Sequence, residues 1–289
     1  MSKYLKIFLF VGVFLSLESE GKSIAELDVP PADIKAGHVN FTSGITDSCK
    51  DPLVLTNIWL IGDSTVASKS GWGDFLADFV TKVNVRNLAK GGKSSKSYYK
   101  EKANRNRWRG NENSVVSNIS AGDYVFIQFG HNDKSLESSK HTDPGVAPGY
   151  EGSYRDFLEL YIKETRAAGG IPILITPVST MRFLEDGSHN RNRGEYPATV
   201  RQVGLDHSVP VLDLESRSSK LFNALGEKET LNLFGGFSNV KDDRTHFLAI
   251  KAPGITKLVA ALLKEANIPL SCHVNASAVS NHEIKKVKY

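Results

Sequence analysis

The sequence of 289 residues lacks the features that mark several large classes of protein. Its formal net charge of +4 is small for this length, which argues against the basic face of a nucleic-acid-binding protein. Beyond residue 20 no apolar run is long enough to cross a membrane. His131, His246 and the acidic residues lack a recognisable metal-ligand spacing, so no metal or other cofactor is expected. Neither an internal repeat nor an interdomain linker appears, which favours a single globular domain.

Cysteine is scarce, with only Cys49 and Cys272 in the chain. In an oxidising compartment such a pair predicts one disulfide near the ends of the mature domain, the alternative being two unpaired thiols. Three N-glycosylation sequons add weak support for export, and they begin at Asn40, Asn118 and Asn275.

The N-terminus has the pattern of a secretory signal peptide. Lys3 and Lys6 precede an almost wholly apolar run at 7–17, and small residues follow near 19–21. A signal anchor or a buried helix is the alternative. We expect cleavage to remove residues 1–21 and the protein to be secreted to the extracellular space.

Strands and helices alternate through most of the remaining chain. Five apolar runs are typical of buried strands, at 58–61, 83–88, 124–129, 171–175 and 209–213. Between them, apolar residues recur at helical spacing at 72–80, 154–168, 197–205 and 255–265. This order predicts an α/β fold with a parallel sheet between two helical layers. We expect an N-terminal extension at 22–53, the domain itself at 54–268 and a tail at 269–289.

The most informative stretch is Gly-Asp-Ser-Thr at 62–65, directly after the first predicted strand. Open α/β sheets bind their ligands at the carboxyl ends of the strands, which is where Ser64 would lie. A serine between a buried strand and an amphipathic helix is positioned as a nucleophile would be. The simpler interpretation is that Ser64 caps a turn or a helix.

Three further stretches carry side chains or backbone groups suited to acyl chemistry. Gly91 and Gly92 follow the second strand and bring backbone N–H groups close to a bound group, although a plain turn is the alternative. Asn132 follows the third strand in Gly-His-Asn-Asp, where its amide can donate to an oxygen. Asp243 and His246, three residues apart, can form a hydrogen bond that fixes the imidazole tautomer.

The order of these four blocks resembles that of the SGNH (GDSL-type) hydrolases, and the match is closest to the rhamnogalacturonan acetylesterases. The similarity covers residues 58–265 and is strongest at 62–65, 87–97, 130–133 and 243–246. It implies a three-layer α/β/α flavodoxin-like fold with a central parallel sheet of about five strands. It also implies a secreted enzyme, without cofactor, that deacetylates pectic polysaccharide.

Ester hydrolysis assigns a role to each block. Ser64 attacks the acyl carbon, His246 accepts and returns the proton, and Asp243 orients the imidazole. Asp242 is a rival to Asp243 with a less suitable spacing. The oxyanion has three candidate donors, the N–H groups of Ser64 and Gly92 and the side-chain amide of Asn132.

A pectic substrate carries carboxylates, so cations are expected near the acyl site. The candidates for substrate binding are Lys93, Lys96, Arg107, Trp108, Arg109 and Arg244, with Trp108 able to stack on a sugar. Two other functions stay open: a secreted lipase, phospholipase or thioesterase, and a non-catalytic carbohydrate-binding protein. The expected partner is an acetylated polysaccharide rather than a nucleic acid or a membrane, and the protein is expected to be a monomer.

Overall fold

A five-stranded parallel sheet forms the centre of the molecule in the computed structural model, which describes residues 56–191, 193–236 and 242–281. The strands are β1 (Thr56–Gly62), β2 (Val83–Asn87), β3 (Tyr124–Gln128), β4 (Ile171–Ile175) and β5 (Val211–Leu212). Their spatial order is β2-β1-β3-β4-β5, and every neighbouring pair is parallel. The predicted α/β sheet is therefore confirmed. β5 is shorter than the predicted 209–213 because Pro210 has no N–H to donate to a strand ladder.

β1 lies in the interior of the sheet and is buried on both faces. Ile58 of β1 is paired with Val85 of β2 and with Tyr124 of β3. Ile58 and Leu60 pack into the core on one side, whereas Trp59 and Ile61 pack into the core on the other. This alternation is the period of two expected for a strand with both faces covered.

Helices form the outer layers. In chain order they are α1 (Ser95–Lys100), α2 (Lys102–Trp108), α3 (Val115–Asn118), α4 (Tyr154–Ala167), α5 (Tyr196–Asp206), α6 (Leu214–Leu231), α7 (Ala252–Glu265) and α8 (Ala276–Asn281). One layer contains α6 and α7, with Phe222 and Val259 in its core, and the other contains α4 and α5, with Tyr161 and Val200. The result is the expected three-layer α/β/α arrangement.

The helix predicted at 72–80 differs in type from the expectation. It is a 3₁₀ helix, Gly73–Phe79, and its buried residues Gly73, Leu76 and Phe79 are three positions apart. A helix with three residues per turn places such residues on one line, so the same apolar face is buried by a tighter helix. Gly73 fits closely, since a Cβ there would lie 2.5 Å from the carbonyl oxygen of Val66.

The segment predicted as a tail is partly folded onto the domain. Val274 forms an antiparallel bridge with Val80, and the N–H of Asn275 donates to the carbonyl of Phe79 at 2.8 Å. Over the residues that the structure describes, no helix combines the length and the apolar character needed to span a membrane. The predicted signal peptide, the extension at 22–53, Asn40 and Cys49 lie outside the described residues.

Candidate active site

Ser64 lies in a tight turn at the carboxyl end of β1. The carboxylate of Asp63 organises this turn by accepting hydrogen bonds from the N–H of Thr65 at 2.9 Å and from its hydroxyl at 2.7 Å. A side chain at Gly62 would place its Cβ 2.5 Å from the carbonyl oxygen of Gln128, so glycine is required where the strand ends. The strand and the Asp63 turn together fix the position of Ser64.

Ser64, His246 and Asp243 form a continuous chain of hydrogen bonds. The hydroxyl of Ser64 lies 2.8 Å from Nε2 of His246. On the other side of the ring, Nδ1 lies 3.1 Å from Oδ2 of Asp243. Asp243 is itself held in place because its Oδ1 accepts the N–H groups of Thr245 and His246. This is the geometry of a nucleophile, a base and a carboxylate that orients the base.

The two neighbouring aspartates lie in different surroundings. Asp243 is 6% exposed and faces the imidazole, whereas Asp242 is exposed and adopts a positive φ of 55°. Only Asp243 has the hydrogen bond to His246. The preference for Asp243 at the sequence level therefore agrees with the geometry.

Two turns beside Ser64 carry the predicted oxyanion donors. A Cβ at Gly91 would lie 3.7 Å from Cβ of Ser64, which shows how close this turn approaches the nucleophile. Gly92 has a φ of +73°, a conformation that glycine adopts without strain. Nδ2 of Asn132 donates to the carbonyl of Lys93 at 3.1 Å, which ties the amide to the same turn. An amide has two N–H bonds, so a second hydrogen remains for an oxyanion.

A buried pair, Asp63 and His131, connects the nucleophile turn to the Asn132 turn. Oδ2 of Asp63 lies 3.2 Å from Nδ1 of His131, and Nε2 of the same ring lies 3.0 Å from the carbonyl of Val178. Burial opposes ionisation of Asp63, but the charge of His131 and hydrogen bonds from His131 and Thr65 lower its pKa. Burial lowers the pKa of His131, which the carboxylate of Asp63 partly offsets. The pair thus joins the ends of β1, β3 and β4.

Asp133 supports the other side of the Asn132 turn. Its carboxyl group accepts hydrogen bonds from the N–H and hydroxyl of Ser95, the N–H of Gly130 and the hydroxyl of Thr142. Burial raises the pKa of Asp133 to about 7 despite these donors. The group therefore fixes two loops around the site without touching the triad. Among the described residues, no group of three or more His, Cys, Asp or Glu is arranged to hold a metal ion.

Comparison with known proteins agrees with this geometry. The family model of the GDSL-like lipases and acylhydrolases matches residues 60–247, a span that includes Ser64, Gly92, Asn132, Asp243 and His246. The chain belongs to this family. The predicted SGNH (GDSL-type) membership is confirmed, and the protein is a carboxylic ester hydrolase.

Similar members of the family come from a bacterium and a fungus. Over 241 residues the chain is 32% identical to the rhamnogalacturonan acetylesterase RhgT of Bacillus subtilis, covering 78% of this chain and 97% of that one. It is also 32% identical over 225 residues to the rhamnogalacturonan acetylesterase of Emericella nidulans, with 72% and 83% covered. The solved structure of YxiM from Bacillus subtilis superposes with a TM-score of 0.59 at 26% identity, covering 75% of this chain and 58% of that one.

Most of the cations predicted to bind substrate have partners within the GDSL-family fold. The ammonium of Lys93 lies 2.7 Å from Oε2 of Glu101. Lys96 donates to the carbonyls of Ser138 and His141. Arg244 lies 3.6 Å from Glu227, and Arg107 is exposed. These contacts leave less positive charge available to a substrate than the sequence led us to expect.

Trp108 does not present a face to a sugar, which corrects the stacking role predicted for it. Its side chain is fully buried, and the indole N–H donates to Glu164 at 2.6 Å. Arg109 pairs with the same carboxylate and with the hydroxyl of Tyr99. The cause is tertiary packing, because the ring of Trp108 meets Tyr161 of α4 edge-on with ring centroids 4.9 Å apart.

Two of the predicted modification sites can be placed. Asn118 is exposed at the end of α3, where its amide donates to the carbonyls of Glu112 and Ser114. Asn275 is half-buried, and its Oδ1 accepts the N–H groups of Ser277 and Ala278 at the start of α8. Cys272 lies in the 3₁₀ helix Pro269–His273. The pairing of Cys272 with Cys49 stays a prediction.

The sequence interpretation missed the side chains that hold the catalytic turns. Asp63, His131 and Asp133 occupy the same motifs as Ser64 and Asn132, so their positions at strand ends were a usable signal. Ser95 gave no such signal, because its role depends on the meeting of two loops distant in sequence.

Proposed function

We propose that the protein removes O-acetyl groups from a pectic polysaccharide of the rhamnogalacturonan type, through an acetyl-enzyme intermediate on Ser64. The observation that carries the proposal is the hydrogen-bonded chain from Ser64 to His246 to Asp243 beside the Gly92 and Asn132 donors. Two relatives, each 32% identical, are rhamnogalacturonan acetylesterases, which supports the substrate class.

In the first half of the proposed reaction, the acetyl group passes from the sugar to Ser64. Oγ of Ser64 attacks the acetyl carbon while its proton passes to Nε2 of His246, 2.8 Å away. The carbonyl oxygen becomes an oxyanion, which the N–H groups of Ser64 and Gly92 and the amide of Asn132 stabilise. The C–O bond to the sugar then breaks, and the sugar oxygen takes the proton from His246.

The second half of the reaction repeats these roles with water. His246 accepts a proton from a water molecule, whose oxygen attacks the acetyl carbon on Ser64. The bond to Oγ breaks, Oγ regains the proton, and acetate leaves. Asp243 stabilises the positive imidazolium in both halves and keeps Nε2 directed at Ser64.

We also propose that the protein acts outside the cell after removal of residues 1–21. The basic head, the short apolar core and the small residues that follow support export. N-terminal sequencing of protein recovered from the medium tests this, and an intact Met1 on exported protein would contradict cleavage.

Acetate release from matched substrates tests the function. We expect faster release from acetylated rhamnogalacturonan fragments than from acetylated xylan, and little hydrolysis of triacylglycerol. The last two substrates represent the alternative esterases. Preference for triacylglycerol would indicate a lipase, and no release from any ester would indicate a binding protein.

A further inference from the structure

Two exposed cations near the catalytic edge differ from the paired ones described above. Lys134 and Arg182 are both exposed. In the ranges 56–191, 193–236 and 242–281, neither side chain forms a hydrogen bond or an ion pair. By contrast, Lys93, Arg109 and Arg244 each have a carboxylate partner.

The backbone places both cations next to the reacting groups. Lys134 follows Asn132 by two residues in the turn after β3. Arg182 lies in the segment after β4, and that segment is bonded to both sides of the site. The carbonyl of Val178 faces Nε2 of His131 at 3.0 Å, and the N–H of Met181 donates to the carbonyl of Arg244 at 2.9 Å. The segment that contains Arg182 therefore lies between the Asn132 turn and the loop that contains His246.

A third cation, Arg193, is buried close enough for its charge to act on Lys134. It is 4% exposed, and its Nη2 donates to the hydroxyl of Thr180 at 3.1 Å. Burial, together with the charges of Arg193 and Arg182, lowers the pKa of Lys134 to about 8. The three cations are therefore close enough to repel one another electrostatically. The carboxylates whose charges also act on Arg193 are Asp63 and Glu215.

Those two carboxylates are already engaged elsewhere. Asp63 binds Thr65 and His131, and Glu215 binds Arg191 and Arg201. Gathering like charges is unfavourable, and an anion bound among them relieves the repulsion. A carboxylate suits such a place, because a guanidinium can bind it through two parallel hydrogen bonds.

We propose that Lys134 and Arg182, supported by the charge of Arg193, form a subsite for a uronate carboxylate of the polysaccharide, next to the acetyl group being removed. This proposal rests on the proposed function, since the polymer must bring both groups. The subsite would select acetyl esters that have an acidic sugar nearby.

Binding of unacetylated oligomers tests the subsite apart from deacetylation. The probes are oligogalacturonate, its fully methyl-esterified form and neutral xylo-oligosaccharide. Each is titrated calorimetrically and also used as a competitor of 4-nitrophenyl acetate hydrolysis. We expect only the carboxylate form to bind and inhibit. Combining Lys134→Gln with Arg182→Gln should weaken its binding by about 10-fold or more, because both charged partners of the carboxylate are lost.

A matched control removes the same charge elsewhere. Lys163→Gln combined with Lys220→Gln changes two exposed cations on α4 and α6 and should leave binding and hydrolysis as in the parent. Equal binding of the acid and its methyl ester would overturn the subsite, as would no binding of either. Equal weakening by both double variants would also overturn it, because the effect would then be one of net charge. Failure to release acetate from rhamnogalacturonan would instead contradict the proposed function.

Discussion

Polar side chains near Ser64 and charged side chains at the rim of the same sheet edge make different kinds of contact. The inner group, Asp63, Asp133 and Asn132, binds backbone N–H or carbonyl groups of neighbouring turns. The rim group, Lys93 and Arg244, pairs with the carboxylates of two long side chains, Glu101 between α1 and α2 and Glu227 on α6. Contacts to backbone groups hold a side chain in one place, whereas long charged side chains are free to change partners. The chemistry therefore depends on the inner group, and substrate selection on the rim.

The largest effect should come from the nucleophile itself. Ser64→Ala removes the atom that becomes acetylated in the proposed mechanism, so we expect kcat to fall by about 10⁴-fold or more. The fold should be retained, because the hydroxyl is bonded to His246 and not packed in the apolar core. Acetate release and circular dichroism together check both statements. Ser68→Ala, at an exposed serine on the same turn, should be fully active. Parental activity in Ser64→Ala would remove Ser64 from this role.

Loss of one oxyanion donor should have the next largest effect. Asn132→Ala should lower kcat by about 10²- to 10³-fold with a smaller change in KM, since the amide acts mainly on the developing charge. Steady-state kinetics on 4-nitrophenyl acetate separates the two constants. A change confined to KM would make Asn132 a substrate-positioning residue. Its role would then resemble that of the rim rather than that of the inner group.

Asp133 should affect stability more than catalysis, and in a pH-dependent way. Its pKa in the folded protein, about 7, is above the ordinary value of 3.8, so between these values the folded state holds a proton that the unfolded state has released. The contribution of Asp133 to the free energy of unfolding is thus complete below about pH 4. It is lost progressively as the pH rises to about 7.

Urea unfolding of the parent and of Asp133→Asn across pH 4 to 8 measures this contribution. The stability of the parent relative to the variant should decline over that range, because asparagine does not titrate. A constant difference would show that Asp133 is ionised throughout and that its four donors outweigh its burial.

The smallest catalytic effect is expected at Trp108, which the sequence placed at the rim and the structure places in the core. Trp108→Phe keeps the ring packing but removes the donor to Glu164, which should lower the free energy of unfolding by about 1–3 kcal/mol. The KM for polysaccharide should stay unchanged. A large rise in KM with unchanged stability would restore the stacking role.

The reacting groups were largely predictable from the sequence, whereas the supporting carboxylates Asp63 and Asp133 and the contacts at the rim were not. Ser64, Gly92 and Asn132 follow predicted strand ends, and Asp243 and His246 share a short local turn. The order of these blocks, through its resemblance to the SGNH hydrolases, then implied one shared site. The five strands were predictable from their apolar runs, with β5 shortened by Pro210.

Side-chain partners at the rim depend on packing between elements that are far apart in the chain. Trp108 is drawn into the core by Tyr161, and Arg109 by Glu164, 55 residues later. Nothing in the composition of 90–113 distinguishes such residues from solvent-exposed ones. The 3₁₀ form of Gly73–Phe79 escaped notice because spacings of three and four residues overlap in so short a segment.

The hydrogen bond between Ser64 and His246 joins residues 182 positions apart. The entropic cost of closing this loop must be met by the other long-range contacts of the sheet and its helices, so we expect the bond to form together with them or later. The last helices also hold the nucleophile region, since the hydroxyl of Thr256 in α7 donates to the carbonyl of Trp72 at 2.9 Å. During refolding, esterase activity should therefore return only when the sheet and the helices around it have all formed. It does not report the formation of a single strand or helix.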